Sequence, residues 1–99
     1  MIEIFLTPDK VAKDLALRAK QRRVAMRLTQ DEMSQKADMP VSTYRRFEQT
    51  GQISLQGLLK VAFALDALDD FNNVFEKRTW SSIDEMLEEK QHKQRVRHE

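Results

Sequence analysis

Val41, Ser42, Thr43, Arg45 and Arg46 crowd into one short stretch of this 99-residue chain. Small and basic side chains on the exposed N-terminal half of a helix can enter the major groove of DNA. The chemistry they offer is recognition rather than turnover. The chain has no cysteine, hence no disulfide framework, no thiolate nucleophile and no cysteine-based zinc site. His92 and His98 lie in a polar terminal stretch with no partner at ligand spacing, so no metal is expected. No nucleophile with a base, no glycine-rich phosphate loop and no ligand cluster can be assembled from this sequence, so it predicts neither an enzyme nor a cofactor.

Two short helices must hold those side chains. Thr29 and Glu32 have the spacing of a capping box, in which the hydroxyl accepts the Glu32 backbone N–H and the carboxylate reaches back; this predicts a helix running to about Ala37. Asp38 and Met39 make the turn, Asp being one of the few residues besides glycine that tolerates a left-handed helix exit. Pro40 stops the first helix and can start the second. Met33, Ala37, Met39, Tyr44 and Phe47 recur at three, four and seven, and they include the positions where the two helices must touch. The pattern is that of a helix-turn-helix.

Leu28-Thr29-Gln30, Glu32-Met33-Ser34, Lys36-Ala37, Ser42-Thr43-Tyr44 and Arg46-Phe47-Glu48 together resemble the Xre (Cro/cI-type) helix-turn-helix family, over roughly Leu15 to Phe75. The resemblance implies an all-α fold, a compact five-helix lambda-repressor-like DNA-binding domain. It implies that Gln30 contacts a phosphate, with Thr29 beside it in the DNA-facing set, and that Val41, Ser42 and Arg46 face base edges. Thr43 and Arg45 take backbone or flanking contacts. Arg46 is the strongest base reader, since a guanidinium can take guanine O6 and N7 together for about 1–3 kcal/mol of discrimination. Val41 can pack on a thymine methyl. In the family an arginine of the first helix pairs with the glutamate ending the recognition helix; Arg23 and Glu48 match these positions, as a structural ion pair. The chain departs from the family at Asp38, usually Gly, at Ser34, usually Ala, and at Pro40, usually Ser or Thr. The last change removes one hydroxyl-to-phosphate contact.

The remainder reads as scaffold. Thr7-Pro8-Asp9 is a cap, a proline at the first helical position and an acid near the positive helix end, so a long helix should run from Pro8 to about Arg27. Its Val11, Leu15, Ala19 and Met26 are expected to face inward. Ser54 should cap a helix from Leu55 to Leu65, whose Leu55, Leu58, Leu59, Ala62, Phe63 and Leu65 give the broadest apolar face. Gly57 within it costs about 1 kcal/mol relative to Ala and permits close packing. A fifth helix is expected from near Asp66, carrying Leu68, Phe71, Val74 and Phe75. Ser82 and Glu85 form a second capping box, predicting a short extra C-terminal helix to about Lys90, followed by a tail. Ile2 to Leu6 is β-prone and reads as a short N-terminal strand. Residues 1–78 are thus expected to form the DNA-binding domain and 79–99 a helix and a disordered basic tail, in which Lys93, Arg95 and Arg97 are either a basic arm on DNA or a solvated terminus.

Net charge is only +1, but it is unevenly placed. Residues 1–49 carry ten Lys/Arg against seven Asp/Glu, a balance of +3, and residues 50–99 carry seven against nine, a balance of −2. The basic half coincides with the motif, as an electrostatic footprint on phosphate requires. The apolar start is too short for a membrane span or leader and carries Glu3, so the expected location is the cytoplasm, with no membrane partner. Phe71, Phe75 and Trp80 are candidates for a dimer or partner interface. A homodimer would place two recognition helices about 34 Å apart on a palindromic double-stranded operator. Phe47 to Leu55, Leu58 to Leu65, Leu68-Asp69-Asp70-Phe71 and Phe75 also resemble the HipB-type antitoxins, which are encoded beside a HipA-type serine/threonine kinase toxin. That similarity implies binding to the kinase and autorepression of the operon. A stand-alone Xre-family repressor, phage-like or a restriction-modification controller without a toxin partner, is the alternative reading.

Overall fold

Thr7 opens the first helix, its hydroxyl accepting the Lys10 N–H at 3.1 Å, and Pro8 occupies the first helical position, where its missing N–H has no consequence. The computed structural model describes residues 6–77, and these are all-helical. In chain order they form α1 (Pro8–Ala25), α2 (Gln30–Lys36), α3 (Val41–Thr50), α4 (Leu55–Ala64) and a 3₁₀ turn at Leu68–Phe71, with no strand among the described residues. The expected N-terminal strand, the extra C-terminal helix, Trp80 and the basic tail lie outside those residues.

The capping box at α2 is complete: Glu32 N–H donates to the Thr29 hydroxyl at 3.0 Å and Thr29 N–H to the Glu32 carboxylate at 2.9 Å. Ser54 caps α4 by accepting the Gly57 N–H at 3.0 Å. Pro40 stands in the cap position of α3 with φ −62° and offers no side-chain acceptor. Helix exits are equally regular. Leu28 N–H bonds the Arg23 carbonyl and Arg27 N–H that of Val24, at 3.2 and 2.9 Å, with Arg27 left-handed at φ 61°. The same pair of bonds closes α2 through Asp38 (φ 56°) and α4 through Asp66 (φ 58°). This reciprocal closure satisfies carbonyls that the last turn would otherwise leave unpaired. Asp38 therefore takes the left-handed role that glycine usually fills.

α3 lies between α1 and α2, and α4 closes the bundle against α2 and the 3₁₀ turn. The core consists of Ala16 and Ala19 from α1, Met33 and Ala37 around α2, Tyr44 and Phe47 from α3, and Val61, Ala64 and Leu65 around α4. Tyr44 and Phe47, tilted rings 6.2 Å apart, fill the space that two alanines on α1 leave open.

Several expectations about the scaffold need correction. On α1 the buried set is Ala16, Ala19 and Arg23, while Val11 is exposed and Leu15 and Met26 are half-buried. α1 packs on α3, and the close approach favours the small Ala16 and Ala19, with Arg23 admitted because it bonds Glu48 of α3. On α4, Leu55 and Phe63 are 71% and 69% exposed, and the inward face is Val61, Ala62, Ala64 and Leu65. Gly57 does permit a close approach: a Cβ built there would lie 2.8 Å from Ile53 Cγ1. Ile53 and Leu58 occupy the two positions of a hydrophobic staple around Ser54, which explains why Ile53 folds over the helix start. In place of a fifth α-helix the chain makes the 3₁₀ turn and further turns to Phe75, which is left-handed at φ 68° and fully exposed. Asp69, Asp70, Asn72 and Asn73 bond locally in turns more readily than they extend a helix.

Candidate nucleic-acid interface

A single carboxylate holds the arrangement together. Glu48, on α3, accepts from Arg23 Nε at 2.7 Å and Nη2 at 3.3 Å, from Gln30 Nε2 at 2.9 Å and from the Tyr44 hydroxyl. Arg23 Nη1 donates further to the Leu28 carbonyl at 2.7 Å. The Glu48 and Arg23 side chains are 3% and 11% exposed. Four donors saturate a carboxylate, and no buried side-chain polar atom lacks a partner among the described residues. Glu48 thereby ties α1, the start of α2 and α3 to one point, so the relative placement of the two motif helices follows from chemistry as well as from apolar packing.

The network continues to the surface. Gln30 Oε1 accepts from Arg45 Nε at 3.1 Å, which orients both residues, and Arg45 also lies 3.9 Å from the Asp31 carboxylate. Gln30 and Arg45 thus lie side by side across the two helices. Arg46 points elsewhere: its guanidinium donates to Gln52, in the loop after α3, above Thr43. Ser42, Thr43, Arg45 and Arg46 are exposed, Val41 and Gln30 are half-buried, and the Thr29 hydroxyl is occupied as acceptor in the capping box. Ser34 is buried and its hydroxyl donates to the Asp31 carbonyl at 2.8 Å, so this departure from alanine is absorbed within α2. Phe71 is half-buried against the bundle, whereas Phe75 stands alone in solvent.

Two residues escaped the sequence reading. Gln49 is exposed on α3, four positions after Arg45 and three after Arg46, hence on the same helical face as either. Its spacing alone could have marked it. Gln52 lies outside the helix, and its grip on Arg46 depends on the path of the loop beyond Gly51, which no local pattern specifies.

A search of protein-family models and of curated proteins finds no match to this chain. Among the described residues, no three His, Cys, Asp or Glu side chains come together as metal ligands, and no helix is long and apolar enough to cross a membrane.

The electrostatics of the network have a measurable outcome. Burial pushes the Glu48 carboxyl upward, but hydrogen bonds from Arg23, Tyr44 and Gln30 outweigh it and hold the group below its usual range. Its contribution to stability is therefore complete above the ordinary carboxylate pKa of about 4.3 and lost as pH falls through the lower folded value. Tyr44 behaves in the opposite sense: burial, then its bond to Glu48 and that carboxylate's charge, raise the phenol above its ordinary value despite Arg23. The stabilisation linked to Tyr44 is complete below the unfolded phenol pKa of about 10 and declines as pH rises toward the folded one. Tyr44 is the single tyrosine of the chain, so phenolate absorbance reports it alone. In an alkaline titration, phenolate absorbance and loss of helical circular dichroism should rise together. A phenol that ionises with its ordinary pKa while the helices remain intact would contradict the arrangement.

Proposed function

We propose that this chain is a sequence-specific DNA-binding transcriptional repressor of helix-turn-helix type, acting as a homodimer on a palindromic operator in the cytoplasm. The observation that carries this reading is the pairing of α2 and α3. A short capped helix, a left-handed turn and a second helix are locked by Glu48, with Ser42, Thr43, Arg45 and Arg46 left on the outside. Gln30 has one amide hydrogen on Glu48 and one still open, which suits it to a phosphate. Arg46, tethered only by an exposed glutamine, is the residue assigned to a base edge.

The same reading, through the resemblance to HipB-type antitoxins, adds a HipA-type kinase toxin as protein partner and autorepression of a shared operon. Affinity pull-down from the native host, with and without nuclease, separates the two versions. A stoichiometric, nuclease-resistant kinase supports the antitoxin; DNA alone supports a stand-alone repressor.

DNA reading itself is tested by selecting bound sequences from a random duplex library and comparing Arg46→Ala with the unmodified protein. The expected loss is about 1–3 kcal/mol at one operator position per half-site, that is, roughly five- to 150-fold, with relaxed preference there. Unchanged affinity and preference would exclude recognition through α3.

A further inference from the structure

Away from α3, the bundle has a groove of about 300 Å³ between α1, α4 and the 3₁₀ turn. Its walls are apolar, with Leu15, Leu58, Ala62 and Phe71 on the sides and Phe47 at the base, and Arg18 and Arg22 stand together on the α1 rim. These arginines are four residues apart, hence on one helical face. Neither arginine pairs with an acid among the described residues, and Asp70 is the single acidic residue lining the groove.

The chain itself carries a segment of complementary composition. Between Trp80 and Glu89 lie four carboxylates, at Asp84, Glu85, Glu88 and Glu89, and no lysine or arginine. Trp80, Ile83, Met86 and Leu87 recur at three, six and seven, the spacing of one apolar helix face. These residues lie outside the described part. Trp80 follows Phe71, on the groove wall, by nine positions and Lys77, the last described residue, by three, so the segment begins close in sequence to the groove. We propose that this groove is the docking site of the chain's own segment 80–89, with its apolar residues on the groove walls and its carboxylates toward Arg18 and Arg22. Helix-in-groove docking of this kind is an established recognition mode. A covalently attached segment also competes at high effective concentration, so any external ligand for the groove must displace it. The inference does not rest on DNA binding.

Trp80 is the only tryptophan, so its fluorescence tests the proposal in the full chain. The expected result is a blue-shifted emission, independent of protein concentration, with acrylamide quenching several-fold weaker than for free tryptophan amide. Arg18→Glu with Arg22→Glu should restore free quenching while helical circular dichroism is retained. Because that double change touches α1, a second variant reverses the four carboxylates to lysine and should expose Trp80 equally. Combining both sets should return the protection. Free quenching in the unmodified chain overturns the proposal. So does protection that grows with concentration, which would mean a second copy, or protection removed by Arg45→Gln with Arg46→Gln instead, which would place the segment on α3.

Discussion

Glu48→Gln is expected to lower the stability of the domain by about 3–5 kcal/mol, the usual cost of stripping one partner from a buried ion pair. The substitution keeps shape and removes charge. Arg23, with its side chain 11% exposed, would be left without a counter-charge, and the Tyr44 hydroxyl and the Gln30 amide would share a weaker acceptor. For a domain of this size each kcal/mol moves the thermal midpoint by roughly 4–8 °C, so a fall of at least about 12 °C should appear in a circular dichroism melt. An unchanged midpoint would show that the pair contributes nothing to holding α1 on α3. Replacing both partners by apolar residues, Arg23→Met with Glu48→Leu, should recover part of the loss, since the cost lies in the stranded charge.

Gly51→Ala should be nearly as damaging, for reasons that have nothing to do with charge. Gly51 ends α3 at φ +80°, and a Cβ there would lie 2.9 Å from the carbonyl carbon of Ala12 and 3.0 Å from its oxygen. The left-handed conformation costs a side-chain-bearing residue about 1–2 kcal/mol, and pressing a methyl against α1 backbone adds roughly 1–3 kcal/mol. A combined loss of about 2–5 kcal/mol, read as a lower urea midpoint, is the expected outcome. Gly57→Ala provides the contrast. There the obstacle is the Ile53 side chain rather than backbone, and a gain in helix propensity of about 1 kcal/mol offsets the displacement. Equal losses at the two glycines would mean that the close contact between α1 and α3 is not what Gly51 serves.

The elements that announce themselves chemically were legible in the sequence. Thr7-Pro8, Thr29 with Glu32, and Ser54 are local devices whose partners sit three residues away, and each cap forms as read. Asp38 as a left-handed exit is local in the same sense. What could not be read was which face of a helix meets which neighbour. Ala19 is buried as expected, but counting large apolar side chains favours Val11 on α1 and Leu55 and Phe63 on α4, where close packing selects Ala16, Val61 and Ala64. Burial is decided by how near two backbones approach, and that distance is a tertiary quantity. The segment after Asp66 failed for a different reason: Leu68, Phe71, Val74 and Phe75 keep a helical spacing, but the intervening Asp and Asn residues favour turns. At the candidate interface, residue types picked out the exposed set, while the tethers from Arg45 to Gln30 and from Arg46 to Gln52 depend on rotamers and a loop path that no spacing encodes.

The separation between what grips α3 and what α3 presents bears on how such a protein can change over time. Arg23, Gln30, Tyr44 and Glu48 depend on one another through one carboxylate, and a change at Arg23 or Glu48 alone strands a buried charge, so these two are best replaced together. Ser42, Thr43 and Arg46 are exposed and take no part in that network. Under the proposed reading, substitutions among those three can re-aim the protein toward a new operator without loosening the frame that carries them. Two diverged copies in one cell could then acquire separate targets while remaining interchangeable in stability.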